Sequence, residues 1–222
     1  MKRDEQMPKS SLNKFLRFLT QLAVAMVFFP AQAGIYEDYF RAIEIDDPAA
    51  VQGVLSRGFD PNTPDERGQT GLFLALRDGS LRSAEVLLVH PGLKVDAVNA
   101  HGETALMIAA LRGRVDWVRR LVQRGAQVNR EGWTPLHYAA SGPSAAVAEL
   151  LLDLGAAVDP RSPRGSTPLM MAAQYGSEQS VNILVRRGAD TRLRDDQGSS
   201  VVEYARRSGR EPLVQLLEPL GP

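Results

Sequence analysis

The sequence predicts an all-α fold, a solenoid of about six helix-turn-helix units that carry hairpin loops. Two observations predict it. A glycine-led phrase returns at Gly68, Gly102, Gly132, Gly165 and Gly198, at spacings of 34, 30, 33 and 33 residues. Each phrase is followed by a short break and a second apolar run. Such a period marks units that cannot bury an apolar face alone and stack on their neighbours to do so. Composition agrees. The chain has 222 residues, a hydrophobic share of 44%, few aromatic residues and no cysteine. Aliphatic packing must therefore build the core, and disulfides, thiolate chemistry and Cys-ligated metal are excluded.

The units follow in order. The first has a helix stripe of Tyr36, Tyr39, Phe40 and Ile43, then the degenerate run VQGVLSRGFDPN. The second joins GQTGLFLAL to AEVLLVH and carries one extra residue near His90-Pro91-Gly92-Leu93. The third joins GETALMIAA to WVRRLVQRGAQVN, and the fourth GWTPLHYAA to VAELLLDLGAAVD. In the fourth, Thr134 is expected to cap the first helix, with Pro135 at the first helical position, where its missing N–H costs nothing. Ala139 and Ala140 lack bulk, so a neighbouring helix can come close. Val147, Leu150, Leu151 and Leu154 recur at helical spacing. The fifth unit joins GSTPLMMAA to VNILVRRGADTR. Gly125, Gly155 and Gly188 are expected to stop the second helices in the left-handed conformation. Segments such as Val158–Gly165 should then form projecting hairpins. The sixth unit joins GSSVVEYAR to a helix begun by Pro212, with Leu213, Val214, Leu216 and Leu217 facing back onto the array.

The first 33 residues differ from the rest. Five basic and two acidic residues make them net +3, and no charge appears between Arg17 and Glu37. The apolar core LAVAMVFF, Pro30 and Ala31-Gln32-Ala33 follow in the order of a secretory signal peptide. The core alone is shorter than the ~20 residues of a spanning helix. The expected division is a cleaved signal over 1–33 and a repeat domain over 34–222, with a periplasmic or secreted product and a retained inner-membrane anchor as the lesser alternative. The formal charge of zero then divides into +3 on the leader and −3 on the remainder.

Thr134-Pro135-Leu136-His137, with Ala139-Ala140 and Leu154-Gly155-Ala156 after it, resembles the T-P-L-H phrase of the ankyrin repeat family. Thr167-Pro168-Leu169-Met170 with Ala172-Ala173 and Gly188-Ala189-Asp190 repeats it, and Thr104-Ala105-Leu106-Met107 and Thr70-Gly71-Leu72-Phe73 are weaker copies. The chain is similar to exported bacterial-type members, over roughly residues 35 to 218. Against the family pattern, Pro143 replaces a glycine between two helices. The hairpin from Val128 to Gly132 is also short, which leaves Trp133 beside a gap in the row. That gap reads either as a binding notch or as a neutral loop deletion.

No catalytic constellation is found. His90, His101 and His137 form no metal-binding spacing, and His137 is expected to bond backbone and the Thr hydroxyl. The pairs Asp195-Asp196 and Asp65-Glu66 fall in expected hairpin tips, where acid–base work is unfavoured. No phosphate-binding or dinucleotide phrase is present. Arg119-Arg120, Arg186-Arg187 and Arg206-Arg207 are interspersed with acids and read as solvated faces, not a nucleic-acid stripe. No cofactor and no metal are expected.

The resemblance implies a protein-binding scaffold that uses a concave face and hairpin tips. Mapped onto this chain, the candidate partner-binding residues are Arg77, Asp78, Glu103, Leu111, Arg112, Trp133, Gln174, Tyr175 and Arg206. Trp133, Tyr175, Arg112 and Arg77 are the types that carry interface energy, and Leu111 would complete an apolar centre. The expected function is a non-enzymatic, monomeric, exported adaptor for another protein, with no nucleic acid and no membrane after cleavage. The alternatives are an inhibitor or immunity-like protein, or a chaperone-like helper of an exported enzyme.

Overall fold

The computed structural model describes residues 34–220; the expected leader, 1–33, lies outside them. Among the described residues twelve α-helices form six consecutive pairs: α1 (34–44) with α2 (Pro48–Ser56), α3 (Gly71–Asp78) with α4 (Leu81–Val89), α5 (Ala105–Leu111) with α6 (Val115–Gln123), α7 (Pro135–Ser141) with α8 (Ala145–Asp153), α9 (Pro168–Tyr175) with α10 (Glu178–Arg186), and α11 (Val201–Arg207) with α12 (Glu211–Leu217). A short 3₁₀ turn, Glu218–Leu220, follows α12. The first helices of successive pairs pack in one layer, α3 on α5, α5 on α7, α7 on α9 and α9 on α11, and α2–α4, α6–α8 and α8–α10 contacts build the second. No helix among the described residues is long and apolar enough to cross a membrane.

Local sequence explains the units. Thr104, Thr167 and Ser200 accept a hydrogen bond from the third residue of their helices, whose own side chain returns to the cap. The small residues expected between layers, Ala109, Ala139, Ala140, Ala172 and Ala173, are fully buried. Gly125, Gly155 and Gly188 have φ of 100°, 87° and 88°. The N–H of Gly125 bonds to Val122 and that of Ala126 to Leu121, and the other two glycines repeat the pattern, which satisfies the last carbonyls of the helix. The extra residue of the second unit replaces this stop with a turn. The Leu93 N–H donates to the His90 carbonyl at 3.1 Å, and the Gly92 N–H to His90 Nδ1 at 3.1 Å.

The ends are sealed. Tyr39 is buried and donates to the Pro61 carbonyl at 3.0 Å, and its hydroxyl lies where a side chain on Gly71 would sit. Leu213, Val214 and Leu217 are buried as expected, but Leu216 is 37% exposed, because it points away from the array. The last helix begins at Glu211, one residue before Pro212. Leu154 also departs from expectation. It follows the end of α8 and is 37% exposed.

Two hydrogen-bond ladders shape the loops. In four fingers the N–H of Asp65, Asn99, Ser162 or Asp195 bonds to the carbonyl four residues on, at 2.8 to 3.0 Å. The side chain of the same residue accepts the N–H two and four residues later. A second set of side chains reaches the next unit. Asn62, Asp96, Asn129 and Asp159 accept the N–H of Lys94, Gln127, Ala157 and Asp190. The fourth finger keeps only this second contact. It runs from Asn129 to Gly132, three residues shorter than the stretches Asn62–Gly68 and Asp96–Gly102, and the residues that would close a hairpin are missing.

Candidate functional site

The first-helix layer carries an apolar groove of about 270 Å³, lined by Leu111, Trp133, Tyr138, Met171 and Tyr175 with His137 and Ser141 at its floor. Its walls come from three units: the end of α5, Trp133 with the outer face of α7, and the middle and end of α9. Leu136, Ala139 and Ala140 face inward and are fully buried, so Tyr138 and Ser141, three apart, share the remaining face of α7. Met171 and Tyr175, four apart, do the same on α9. Trp133 precedes the cap Thr134 and stands at the base of the shortened finger. Its ring meets His137 edge-on at 5.2 Å and Tyr138 at 6.5 Å, arrangements that favour aromatic pairs.

A glycine lets α9 come close enough to shape this groove. Gly142 and Gly176, which end α7 and α9, are extended, with ψ of 173° and −173°. A side chain on Gly176 would run into the Ala140 carbonyl. Units four and five therefore turn differently from unit three, where Gly113 is left-handed at φ 69°. The stiffening expected from Pro143 is accompanied by this change of turn.

The polar groups of the floor and wall are already bonded within the protein. His137 Nδ1 is 2.9 Å from the Thr134 hydroxyl and its Nε2 is 3.0 Å from the Ser166 carbonyl. The carbonyl fixes Nε2 as the protonated nitrogen, so Nδ1 accepts. Burial pushes the His137 pKa down to about 4 against the opposing pull of its backbone partners, so the ring is neutral near pH 7. Tyr138 donates to Glu103 at 2.7 Å, and burial followed by that carboxylate raises its pKa. Ser141 donates to the His137 carbonyl at 2.9 Å. Among the described residues no group of three or more His, Asp or Glu stands placed to hold a metal.

Of the nine candidate residues, the structure brings Leu111, Trp133 and Tyr175 together in the groove. Arg112, exposed, follows Leu111 at the end of α5, and Gln174 is half-buried beside Tyr175. Glu103 is drawn into the wall by Tyr138 and by Asn99, which donates to it at 2.7 Å. Arg77 and Asp78 form a bidentate pair at 2.7 Å, beside Phe40 and Glu44 at the first-unit end. Arg206 pairs with Glu218 at 2.7 Å in the last unit. The residues that sequence reasoning did not select are Tyr138 and Met171. Their signal was available, since each directly precedes the buried alanine pair of its helix.

The comparisons with known proteins agree with this architecture. A family model described as ankyrin repeats (3 copies) matches residues 40–131, 87–162, 129–195 and 147–221. Ankyrin repeat and SAM domain-containing protein 6 of Rattus norvegicus is 31% identical over 109 residues, 47% of this chain and 12% of that protein. NF-kappa-B inhibitor alpha of Sus scrofa is 35% identical over 95 residues, 40% of this chain and 30% of that protein. The chain thus matches less than a third of the length of either relative. A chain in the solved complex of a predatory endopeptidase from Bdellovibrio bacteriovorus with an immunity protein superposes with a TM-score of 0.69 at 27% identity, covering 82% of this chain and 97% of that one. Ankyrin repeats are protein-binding units, and with its six helix pairs and T-P-L-H phrases this chain belongs to the ankyrin repeat family.

Proposed function

We propose that the protein is a non-enzymatic scaffold that holds one partner protein on its first-helix face, centred on Trp133, Tyr138 and Tyr175. The groove carries this reading. It is lined by aromatic and aliphatic side chains, and Tyr175 is 62% exposed, although solvating an aromatic ring without a partner is unfavourable. The test is binding of the partner recovered by affinity purification with a tagged full chain. Tyr175→Ala and Trp133→Ala should each weaken that complex at least tenfold, and full affinity in both variants would end the proposal.

A second reading, an immunity-like protein that neutralises a hydrolase, is favoured by the similarity to the chain from the endopeptidase–immunity protein complex. It requires a stoichiometric complex in which the partner's activity is lost. Under either reading we place the protein outside the cytoplasm, because the 1–33 pattern is that of a cleaved leader, and take the chain to act as a monomer. A mature N-terminus at Gly34 in the envelope or medium fraction would support this placement, and an uncleaved, membrane-pelleting chain would overturn it.

A further inference from the structure

The groove restricts what can enter it. Its volume of about 270 Å³ falls below the range of ~300–1,000 Å³ typical of small-molecule sites, and it suits one large side chain. The floor offers a polar ligand no free N–H or O–H donor. His137, Tyr138 and Ser141 already spend their hydrogen bonds on Thr134, Ser166, Glu103 and the His137 carbonyl.

The approach is also restricted. Fingers three and five are full hairpins closed by their own backbone bonds. Between them the fourth stops short, and its Gly132 lies against Pro163 of the fifth. Fingers five and six are joined by a backbone bond, from the Asp196 N–H to the Arg164 carbonyl at 3.1 Å. The residue matching Asp196 in finger five is Pro163, which has no N–H to leave unpaired towards the gap. The opening above Trp133 is therefore as wide as one missing finger, and the edge facing it lacks that unmet donor.

Two arginines stand beside the groove without an ion pair among the described residues, exposed Arg112 and half-buried Arg130. Two carboxylates balance them in sum, but Glu103 is held in place by Tyr138 and Asn99, so exposed Glu131 is the one free to turn towards an arginine.

We infer that the slot left by the short fourth finger admits a single extended segment of the partner protein, which places one large apolar side chain between Trp133 and Tyr175 and flanking carboxylates towards Arg112 and Arg130. This rests on the reading of the groove as the partner site and adds the form and chemistry of what fills it.

The probe is a random heptapeptide phage library panned on the immobilised full chain and counter-selected on Trp133→Ala. The expected consensus is one Phe, Trp or Leu flanked by Asp or Glu. The synthetic consensus peptide should bind Tyr175→Ala at least tenfold more weakly, a variant safe for folding because that side chain is largely exposed. It should lose several-fold in affinity when Arg112 and Arg130 are both replaced by Ala. Inserting Ala-Val-Asn after Asn129, the residues that complete finger three, should close the slot and cost at least tenfold without lowering the melting temperature. No enrichment, or a basic or polar consensus, overturns the inference. Peptide binding that is lost in Trp133→Ala but survives the insertion keeps the groove as a partner site and overturns the slot. A dimer of this chain that dissociates in Trp133→Ala overturns the inference by making a second copy the occupant.

Discussion

His137 and Ser166 are joined across two units, with the imidazole Nε2 3.0 Å from the Ser166 carbonyl. The contact requires a neutral ring, because its other nitrogen accepts from Thr134. Burial holds the folded pKa at about 4, below the ~6.5 of an exposed histidine. The unfolded chain thus binds the extra proton first as pH falls. Stability should be complete above about pH 6.5 and decline from there towards pH 4, by on the order of 3 kcal/mol in all. Carboxylates held low by partners, such as Glu85 beside Arg120 and Asp78 beside Arg77, keep their contribution through that window and lose it only at more acid pH, as pH falls through each lowered pKa. Melting temperatures between pH 7.5 and 5 should fall, and the His137 ring proton should titrate near pH 4 by NMR. Titration near 6.5 would refute the assignment.

Gly176 and Gly188 are both glycines near helix ends, yet they should respond differently to alanine. Gly188 has a left-handed φ of 88° in open space, so Gly188→Ala should cost about 1 kcal/mol of backbone strain. Gly176 is extended and faces the Ala140 carbonyl. Gly176→Ala must push α9 from α7 and should cost about 3 kcal/mol. Urea denaturation followed by circular dichroism compares the two, and equal losses would show that the close approach is not needed.

Much of this was legible in the sequence because repeats are governed by local rules. The stops at Gly125, Gly155 and Gly188 and the short finger before Trp133 follow from residue type and spacing, whereas Thr134, expected to cap its helix, gives its hydroxyl to His137 Nδ1 instead of accepting a helix N–H. The convergence of Leu111, Trp133 and Tyr175 followed from repeat register. Tyr138 and Met171 stand before the alanine pair of their helices, a position that marks their face, but how closely α9 approaches α7 is set across units at Gly176. The same distance-dependent choice separates Arg112, near the groove, from Arg77 and Arg206, which neighbouring carboxylates engage. Nor does the sequence distinguish Asn99, which closes its own finger, from Asn129, which reaches the next unit. Loop length decides between the two.

Asn129 makes the second role testable. It donates to the Gly155 carbonyl at 2.8 Å and accepts from Ala157 at 2.8 Å. Asn62 repeats this pair with Gly92 and Lys94. Asn129→Ala and Asn62→Ala should each cost about 1–2 kcal/mol, since two bonds are lost at partly solvated sites. Asn129→Asp should keep the bond from Ala157 and lose the one to Gly155, for about half that loss. Denaturant midpoints measure the series, and an Asp variant as weak as the Ala variant would refute the division.

The two tryptophans separate binding from folding. Trp117 is 6% exposed in α6, with the Arg120 guanidinium 4.5 Å over its ring, and Arg120 in turn holds Glu85 of the preceding unit. Trp117→Ala should cost about 3–5 kcal/mol, as a large core truncation does. Because a solenoid propagates loss only between neighbours, the third and fourth units should exchange amide hydrogens first. Trp133 is half-buried and borders the groove on one side only, so Trp133→Ala should cost no more than about 1–2 kcal/mol, in keeping with the smaller area it withdraws from water. Partner binding should reverse the order, lost in Trp133→Ala and kept in whatever fraction of Trp117→Ala remains folded. Binding that tracks stability in both variants would remove Trp133 from the interface.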